Sequence, residues 1–274
     1  MVSIVYMVAG LSSRFGGKIK QFAKIGPNGE SLIELSIKQA IEAGFDKIIC
    51  VVGEKTETPF KEMFGDNYKG TPIYYAKQSF DQEKRDKPWG TCDAAVCAKS
   101  IIDEDFVVCN GDDVYGLRTF KELISFARSN PENNCATIGY LLGKVIPEEG
   151  TVNRGIFTKT EDGFLAKIDE TLNISKAKLS EMGLTENSLS SQNIFFLKKE
   201  VMKMLEEKLI QFKEVNRDDR TVECYLPKEL SNLINEKKIK IKILKTEDEC
   251  YGITNPADEE IVRKQIALAQ HREN

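Results

Sequence analysis

The sequence predicts an α/β protein in which a doubly wound, mostly parallel but mixed sheet lies between two layers of helices. Short β-branched runs alternate with amphipathic segments through the first half of the 274 residues. Right-handed crossovers between parallel strands would place these helices on both faces of the sheet. No internal repeat or low-complexity linker interrupts the chain, so we expect residues 1–274 to form one domain.

The first half predicts four strands and four helices in alternation. Ser31 and Gly44 suit the N-cap and the C′ position of the first helix. The predicted strands are SIVYMVA (3–9), DKIICVVG (46–53), TPIYYAKQ (71–78) and EDFVVCNG (104–111). The predicted helices are SLIELSIKQAIEAG (31–44), TPFKEMFG (58–65), TCDAAVCAKSII (91–102) and LRTFKELISFARS (117–129).

The second half does not continue the regular alternation of strands and helices. The turn EDG (161–163) between GIFTKT and FLAKID predicts a β-hairpin, since Asp-Gly between apolar runs is a strong hairpin signal. SSQNIFFL (190–197) and KIKIKIL (238–244) predict two further strands. Helices are expected at 201–212, at 225–236 and, beginning at Pro256, at 256–270.

Charge and composition narrow the function classes. Lys and Arg total 39 against 43 Asp and Glu, which gives a net charge of −4 and argues against a nucleic-acid partner. No apolar stretch approaches the length of a membrane span, and the N-terminal apolar run predicts a buried strand rather than a signal peptide. Seven cysteines without a C-x-x-C pair indicate reduced, packed thiols. We therefore expect a cytoplasmic protein without a membrane partner.

The histidine content excludes several chemistries. The single histidine is His271, near the C-terminus. Ser-His-Asp and Cys-His nucleophilic sites and His-ligated metals are therefore excluded. Any reaction must use Lys, Arg, carboxylates, backbone amides and a hard cation.

The segment AGLSSRFGGKIKQ (9–21) joins the first strand to the first helix. Its Gly/Ser-rich turn would expose consecutive N–H groups to an anion, and Arg14, Lys18 and Lys20 add positive charge. This combination suits a triphosphate. Neither the dinucleotide fingerprint nor the P-loop motif is present. The structural alternative is a surface turn whose glycines only permit tight geometry.

The segment VVCNGDDVYG (107–116) delivers Asp112 and Asp113 at the end of an apolar strand. Open α/β sheets bind ligands at the carboxyl ends of their strands, and one or two carboxylates suffice for Mg²⁺ when phosphate and water complete its shell. An Asp-Asp pair is also a common turn or helix cap. The interpretation of Asp112 and Asp113 as a metal site is strengthened because the predicted triphosphate loop (9–21) follows a neighbouring strand.

These residues resemble the sugar-1-phosphate nucleotidyltransferases, which share the glycosyltransferase-A-like fold. AGLSSRFGG with Lys20 is similar to that family's signature loop, and NGDDVYG (110–116) to its metal segment. Gln78 and KPWGTCDAA (87–95) resemble its nucleoside-recognition segment. The resemblance is specific over residues 3–116 and looser to about residue 262. It implies a nucleotide-binding half at about 1–130 and an acceptor-binding half at about 131–274.

The resemblance also implies roles. Arg14 would contact the β- and γ-phosphates, Lys20 the α-phosphate and the transition state, and Asp112 would hold Mg²⁺. The residues expected to bind the nucleotide are Ala9, Gly10, Leu11, Ser12, Ser13, Gln78, Gly90 and Thr91. The residues expected to bind the acceptor are Arg154, Lys167, Glu170 and Asn193.

Two departures from the family pattern concern the loop and the metal. Ser12 replaces the second glycine of the signature. Gly252, in CYGITN (250–255), stands where related enzymes carry a second metal aspartate. The sequence therefore supports one metal carboxylate, Asp112, and Asp113 would replace the second only if the loop differs.

The resemblance favours transfer of a nucleoside monophosphate, with a pyrimidine base, from a nucleoside triphosphate to a sugar 1-phosphate. The same reaction on phosphocholine, a polyol phosphate or an inositol phosphate stays open. A glycosyltransferase is disfavoured because the strand-end segment 110–116 reads NGDDVYG and not D-x-D, and because of the Arg14 loop. A catalytically silent nucleotide-binding regulatory protein is the alternative outside enzymes. Homo-oligomerisation is left open.

Overall fold

The computed structural model describes residues 1–10, 15–130, 132–147, 150–253 and 258–273. Within these ranges, an 11-stranded sheet carries helices on both faces, which confirms the predicted α/β/α layering. The strands are β1 Val2–Met7, β2 Lys47–Val52, β3 Asn67–Tyr68, β4 Thr71–Lys77, β5 Asp105–Asn110, β6 Asp113–Val114, β7 Cys135–Leu141, β8 Val152–Lys159, β9 Leu165–Ile174, β10 Leu189–Ser191, β11 Phe195–Leu197, β12 Ile241–Lys245 and β13 Tyr251–Gly252. The helices are α1 Leu32–Ala43, α2 Glu57–Phe64, α3 Thr91–Cys97, α4 Leu117–Ser129, α5 Leu142–Val145, α6 Lys199–Val215, α7 Leu226–Asn235 and α8 Asp258–Glu273.

The parallel part of the sheet has the order β4-β2-β1-β5. From β1 the chain moves outward through β2 and β4, and then returns to β5 on the other side of β1. The connections that leave β1 and β5 therefore run in opposite directions. In an open α/β sheet such a reversal leaves a crevice at the carboxyl ends of the two strands, where ligands bind.

Two apolar cores lie on opposite faces of the sheet because successive strand residues point to opposite sides. Ile4 and Ile48 pack on one face with side chains of α1, α2 and α4. Val5 and Ile49 pack on the other face with side chains of α3, α6 and α7. Such strands, buried on both faces, are typical of parallel sheets covered by helices.

The first helix has the predicted ends. The Ser31 hydroxyl accepts a hydrogen bond from the Glu34 backbone N–H at 3.3 Å, and the Glu34 carboxylate accepts one from the Ser31 N–H at 3.3 Å. This reciprocal capping box satisfies two of the N–H groups that a helix start leaves free. Gly44 ends the helix at a φ of 97°, a left-handed conformation that favours glycine.

The second half extends the sheet with antiparallel pairs. The predicted hairpin forms as β8 and β9. The single strand predicted at 190–197 is wrong, because Asn193 has a φ of 55° and turns the chain. The segment before it, β10, pairs with β7 and β8, whereas β11 pairs with β5 and β7. The strand predicted at 238–244 forms as β12, which spans Ile241–Lys245 and runs parallel to β7.

The C-terminal helix α8 packs through Val262 and Ile266 against a small third core. Its predicted first residue, Pro256, lies outside the described residues. Among the helices that the structure describes, none has the combination of length and apolarity needed to cross a membrane.

Candidate active site

Gly111 brings the end of β5 against the end of β1. Its backbone N–H donates to the Met7 carbonyl oxygen at 3.1 Å. A Cβ atom at this position would lie 2.1 Å from the Val8 Cγ1, so a larger residue would separate the two strand ends. Glycine therefore allows Asp112, the next residue, to enter the crevice beside β1.

In the crevice, Lys20 and Asp112 form an ion pair. Lys20 opens a one-turn 3-10 helix that ends at Phe22, and both charged side chains are only partly exposed. The structure thus brings together two of the three residues predicted to be catalytic. The third, Arg14, lies outside the described residues, as do Leu11, Ser12 and Ser13 of the predicted nucleotide loop.

Tyr115 holds the loop that carries the aspartates. Its buried hydroxyl accepts a hydrogen bond from the Asn110 backbone N–H at 3.0 Å and donates one to the Gln192 carbonyl oxygen at 2.9 Å. Both ends of the loop are thereby tied to one rigid side chain, and the second tie reaches the segment between β10 and β11. We infer that Tyr115 fixes the position of the two carboxylates.

Asp113 lies beside Asp112 in a network of amide side chains. The Asn110 side-chain amide donates to Asp113 Oδ2 at 3.0 Å, and the Asn193 amide donates to Asn110 Oδ1 at 2.6 Å. Burial raises the pKa of Asp113, and the neighbouring Asp112 carboxylate raises it further, to about 7. Two adjacent carboxylates resist ionising together until a cation offsets their repulsion.

Gly252 lies opposite Asp113 in the short β6–β13 ladder. A Cβ atom on Gly252 would be 2.3 Å from Asp113 Oδ1, so the Asp113 carboxylate fills the space next to the glycine. An aspartate at position 252 would therefore displace Asp113. The glycine at position 252, one of the two departures from the family pattern, is therefore sterically linked to the position of the Asp113 carboxylate.

The donor set fits a divalent cation that binds together with a phosphate ligand. Asp112 and Asp113 offer hard oxygen ligands of the kind that Mg²⁺ prefers. The Lys20 ammonium group shows that the Asp112 carboxylate accepts a cation as a partner. Within the described ranges, no group of three or more His, Cys, Asp or Glu side chains is arranged to hold a metal. Water and phosphate oxygens would have to complete the coordination.

A polar cavity of about 260 Å³ opens beside these carboxylates. In this cavity, the buried Nε atom of Arg154 has no hydrogen-bond partner among the described residues. The only groups to which its guanidinium donates in the described part of the chain are the carbonyl oxygens of Asn153, at 3.1 Å, and Val145, at 3.4 Å. The residues of the polar cavity include Asn110, Asp112, Asp113, Arg154, Gly155, Glu170, Gln192, Asn193 and Gly252.

Three of the four predicted acceptor residues, Arg154, Glu170 and Asn193, therefore share this cavity. The fourth, Lys167, is not among the lining residues. Its side chain is 66% exposed and forms an ion pair with Asp169. The register between β8 and β9 is regular from Lys167 to Thr171, so successive side chains alternate between the two faces. Lys167 therefore points to the face opposite the one from which Ile168 and Glu170 line the cavity, in agreement with its high exposure.

A second, larger cavity of about 900 Å³ lies at the carboxyl ends of β1, β2 and β4, and is called the strand-end cavity below. Gly53 ends β2 close to β1, since a Cβ atom there would lie 2.8 Å from the Ala9 carbonyl oxygen. The residues of this cavity include Ala9, Gly10, Gly53, Glu54, Lys55, Lys77, Gln78, Arg85 and Lys87. The described part of the predicted nucleotide loop therefore meets Gln78 at one cavity.

Gly90 and Thr91 tie the predicted recognition segment to the α6–α7 region. Gly90 has a φ of 97°, and a Cβ atom on it would lie 2.7 Å from the Cys224 carbonyl oxygen. The Thr91 hydroxyl accepts a hydrogen bond from the Leu226 N–H, at the start of α7, at 2.9 Å. Nearby, the Arg85 guanidinium stacks 3.5 Å from the centre of the Trp89 ring. These contacts give the segment a structural role.

Sequence reasoning missed the residues that hold the predicted ones in place. Asp93 accepts a hydrogen bond from the Gln78 side chain, and Lys213 forms an ion pair with Asp93. Asp93 follows Gly90 by three residues and could have been noticed as a charge in the first turn of a helix. Lys213 lies 120 residues further along the chain, and no local pattern connects the two.

Comparison with known proteins defines the family. Residues 17–232, well over half of the chain, match the family model described as nucleotidyl transferase. The protein therefore belongs to the nucleotidyl transferase family and is a transferase by class. By sequence, no curated protein is significantly similar to it.

Solved structures of low sequence identity share the fold. The inositol-1-phosphate CTP transferase from T. maritima is 16% identical with a TM-score of 0.67, over 97% of this chain and 95% of that one. The UTP-bound UGPase from Acinetobacter baumannii is 17% identical with a TM-score of 0.63, over 97% and 93%. HddC from Yersinia pseudotuberculosis, complexed with GMP-PN, is 16% identical with a TM-score of 0.61, over 97% and 99%. These likenesses confirm the predicted nucleotidyltransferase fold.

Proposed function

We propose that the protein transfers a nucleoside monophosphate from a nucleoside triphosphate to a sugar 1-phosphate, giving a nucleoside diphosphate sugar and pyrophosphate. One observation carries this proposal above the others. The ion pair between Lys20 and Asp112 lies in the crevice between β1 and β5, at the edge of a cavity lined by Arg154. The cations proposed to bind phosphate and the carboxylates proposed to bind the metal therefore lie next to one another.

Each cavity suits one substrate. The strand-end cavity contains Ala9 and Gly10 at the start of the glycine-rich loop, together with Gln78, which fits a nucleoside whose phosphates extend along that loop. The polar cavity offers Arg154 for a phosphate and Glu170 and Asn193 for hydroxyl groups, which fits a phosphorylated polyhydroxyl acceptor. Asp112 belongs to the polar cavity, so the reacting phosphates would meet beside it.

In the reaction, a phosphate oxygen of the acceptor attacks the α-phosphorus, and the bond from that phosphorus to the bridging oxygen breaks to release pyrophosphate. The nucleophile is already an anion, so no general base is required, in agreement with the lack of a histidine in the described site. Lys20 would leave Asp112 to neutralise the α-phosphate, and Arg14 would bind the β- and γ-phosphates. Catalysis then consists of positioning and charge neutralisation.

Mg²⁺ is the proposed cofactor, with Asp112 as its protein ligand beside Asp113. When bound, the ion would neutralise phosphate charge and align the triphosphate for in-line attack. Asp112 is anchored by the Gly111 contact with Met7, and the neighbouring Asp113 is oriented by Asn110. We propose a pyrimidine nucleotide because Gln78 is suited to read a small base edge.

The test is a screen for pyrophosphate release that crosses UTP, dTTP, CTP, ATP and GTP with sugar 1-phosphates, phosphocholine, inositol phosphate and polyol phosphates. We expect turnover with a pyrimidine triphosphate and a hexose 1-phosphate. Turnover with phosphocholine, inositol phosphate or a polyol phosphate alone would replace the sugar acceptor and keep the mechanism. A protein that binds nucleotide but releases no pyrophosphate from any pair would instead be a regulatory nucleotide-binding protein.

A further inference from the structure

The side-chain amide of Gln78 is held by two groups at the edge of the strand-end cavity. Its Nε2 donates to the Gly90 carbonyl oxygen at 3.1 Å and to Asp93 Oδ2 at 2.8 Å. Its backbone N–H donates to the Val52 carbonyl oxygen at 2.8 Å, so the residue is also fixed to the end of β2. Gln78 is 8% exposed and nevertheless belongs to the cavity lining.

The orientation of this amide follows from the chemistry of its partners. A carbonyl oxygen and an ionised carboxylate can only accept hydrogen bonds. Turning the amide over would set the Gln78 oxygen against two other acceptors and leave both without a donor. The NH₂ group must therefore face Gly90 and Asp93. The oxygen Oε1, which accepts no hydrogen bond from any residue in the described ranges, is the polar atom left for a ligand.

Lys213 keeps Asp93 in its acceptor role. The Lys213 ammonium group contacts Asp93 Oδ1 at 2.6 Å, while Oδ2 receives the Gln78 amide. The Asp93 side chain is only 6% exposed, and a buried carboxylate needs a partner of this kind. The result is a chain of three side chains from α6 through α3 to the end of β4, in which each group fixes the next.

We infer that Asp93 is a positioning residue, which fixes the Gln78 amide so that its oxygen faces the nucleotide and selects a base with an N–H donor at the centre of its edge. This inference rests on the proposed function. Uracil and thymine carry N3–H at that place, whereas N3 of cytosine is an acceptor and would face Oε1 without a proton between them. The enzyme therefore selects UTP or dTTP over CTP.

The test compares UTP and dTTP with CTP in wild-type protein and in Asp93→Asn. The wild type should favour the better of UTP and dTTP over CTP by about tenfold or more in kcat/KM, as expected when a mismatched partner leaves a polar group unpaired. In Asp93→Asn, the new carbonyl oxygen is held by Lys213, so its NH₂ group faces Gln78. With a donor at position 93 and the Gly90 carbonyl oxygen still an acceptor, neither orientation of the Gln78 amide satisfies both partners. The orientation found in the wild type is then no longer fixed, and the preference for UTP or dTTP over CTP should fall.

Calorimetric titration of each triphosphate without an acceptor separates this inference from the proposed function. A protein that binds no triphosphate contradicts the proposed function. A protein that binds triphosphates but does not prefer UTP or dTTP over CTP contradicts only the inference. An unchanged preference in folded Asp93→Asn also overturns it.

Two further variants separate positioning from general stability. Glu206→Gln is the matched control, because Glu206 links the same region of α3 and α6 through Lys99 without contact to Gln78, and its selectivity should equal the wild type. Gln78→Ala should abolish the preference, and adding Asp93→Asn to it should change nothing further. If Asp93→Asn does not fold, an unchanged preference in Gln78→Ala still overturns the inference.

Discussion

The ammonium group of Lys20 is paired with the carboxylate of Asp112, the residue proposed to bind Mg²⁺. In this arrangement a lysine holds the position that a divalent cation requires. Cation binding and release of Lys20 are therefore coupled, and a triphosphate favours both, since it offers oxygens to the metal and an anion to the lysine. The unliganded protein should bind Mg²⁺ weakly.

Replacing Lys20 should separate metal binding from catalysis. In Lys20→Met, Asp112 loses its competing cation, so calorimetry should show tighter Mg²⁺ binding to the nucleotide-free protein than in the wild type. The same variant should lose about a hundredfold or more in kcat, because a charge partner of the transition state is gone. Lys24→Met, at an exposed side chain outside the predicted triphosphate loop (9–21), serves as the control. Micromolar Mg²⁺ affinity in the nucleotide-free wild type would contradict the coupling.

Arg154 and Lys167 should differ in their effect on the acceptor. Arg154 belongs to the polar cavity, whereas Lys167 is exposed and paired with Asp169. We expect Arg154→Met to raise the acceptor KM by about tenfold or more, because a hydrogen bond between charged groups is lost. Lys167→Met is the matched control and should leave the acceptor KM near the wild-type value. Equal effects of the two substitutions would remove Arg154 from the acceptor site.

Gly252 should tolerate no side chain without loss of activity. In Gly252→Ala the new Cβ would lie 2.3 Å from Asp113 Oδ1 and would push that carboxylate away from Asp112. We expect turnover to fall by about tenfold or more, as for other losses of transition-state stabilisation. Gly143→Ala introduces a similar overlap, 2.8 Å from Glu186 Cβ, at a residue that does not line the polar cavity, and should retain activity if it folds. Full activity in Gly252→Ala would show that the position of Asp113 is unimportant.

Glu30 should stabilise the fold in a pH-dependent way. Burial alone would raise the pKa of its carboxyl group, but hydrogen bonds from the backbone N–H groups of Glu30 and Asn28, and from Lys38, lower it to about 2. Because the pKa of Glu30 is lower in the folded state than in the unfolded state, the ionised carboxylate stabilises the fold at pH values above the unfolded pKa of about 4.5. This stabilisation is lost as the pH falls toward the folded pKa of about 2. Glu30→Gln should therefore lower the free energy of unfolding by about 1–2 kcal/mol at pH 7.

The pH dependence of that loss is the check. Denaturant unfolding should show a smaller difference between Glu30→Gln and wild type at pH 3 than at pH 7. Glu42→Gln, at an exposed carboxylate that pairs with Lys121 at 3.5 Å, is the control and should change little. A loss of equal size at both pH values would mean that the ionised carboxylate of Glu30 is not the stabilising group.

The sequence was sufficient for the parts of the fold that long local patterns encode. The strands β1, β2 and β5 are largely buried apolar runs. Because the glycine-rich loop and Asp112 follow neighbouring strands of this kind, the sequence predicted that Lys20 and Asp112 would lie at neighbouring strand ends. The two-residue strands β6 and β13 carry no periodic signal, and their pairing depends on the contact between Asp113 and Gly252. The break between β10 and β11 depends on the backbone of one residue, Asn193.

The contacts that lead from Gln78 through Asp93 to Lys213 show a second limit on what can be predicted from the sequence. Gln78 could be selected from its position in a recognisable segment. The direction of its amide depends on Asp93 and Lys213, and the latter is reached only through the packing of α6 on α3. Likewise, the Thr91 hydroxyl accepts a hydrogen bond from the Leu226 N–H at the start of α7, a contact that no local pattern indicates, while its contact with the nucleotide stays a prediction. Side-chain roles set by distant elements cannot be derived from spacing along the chain.

Nucleotidyl transfer at Asp112 should depend on the acceptor. Its most direct test is the stoichiometry of pyrophosphate and product, measured with the best triphosphate in the presence and absence of the acceptor. We predict one pyrophosphate for each nucleotide joined to the acceptor, none without the acceptor, and almost none in Asp112→Asn, with Asp103→Asn as an exposed control. Pyrophosphate release without an acceptor, or undiminished transfer by Asp112→Asn, would contradict the proposed function.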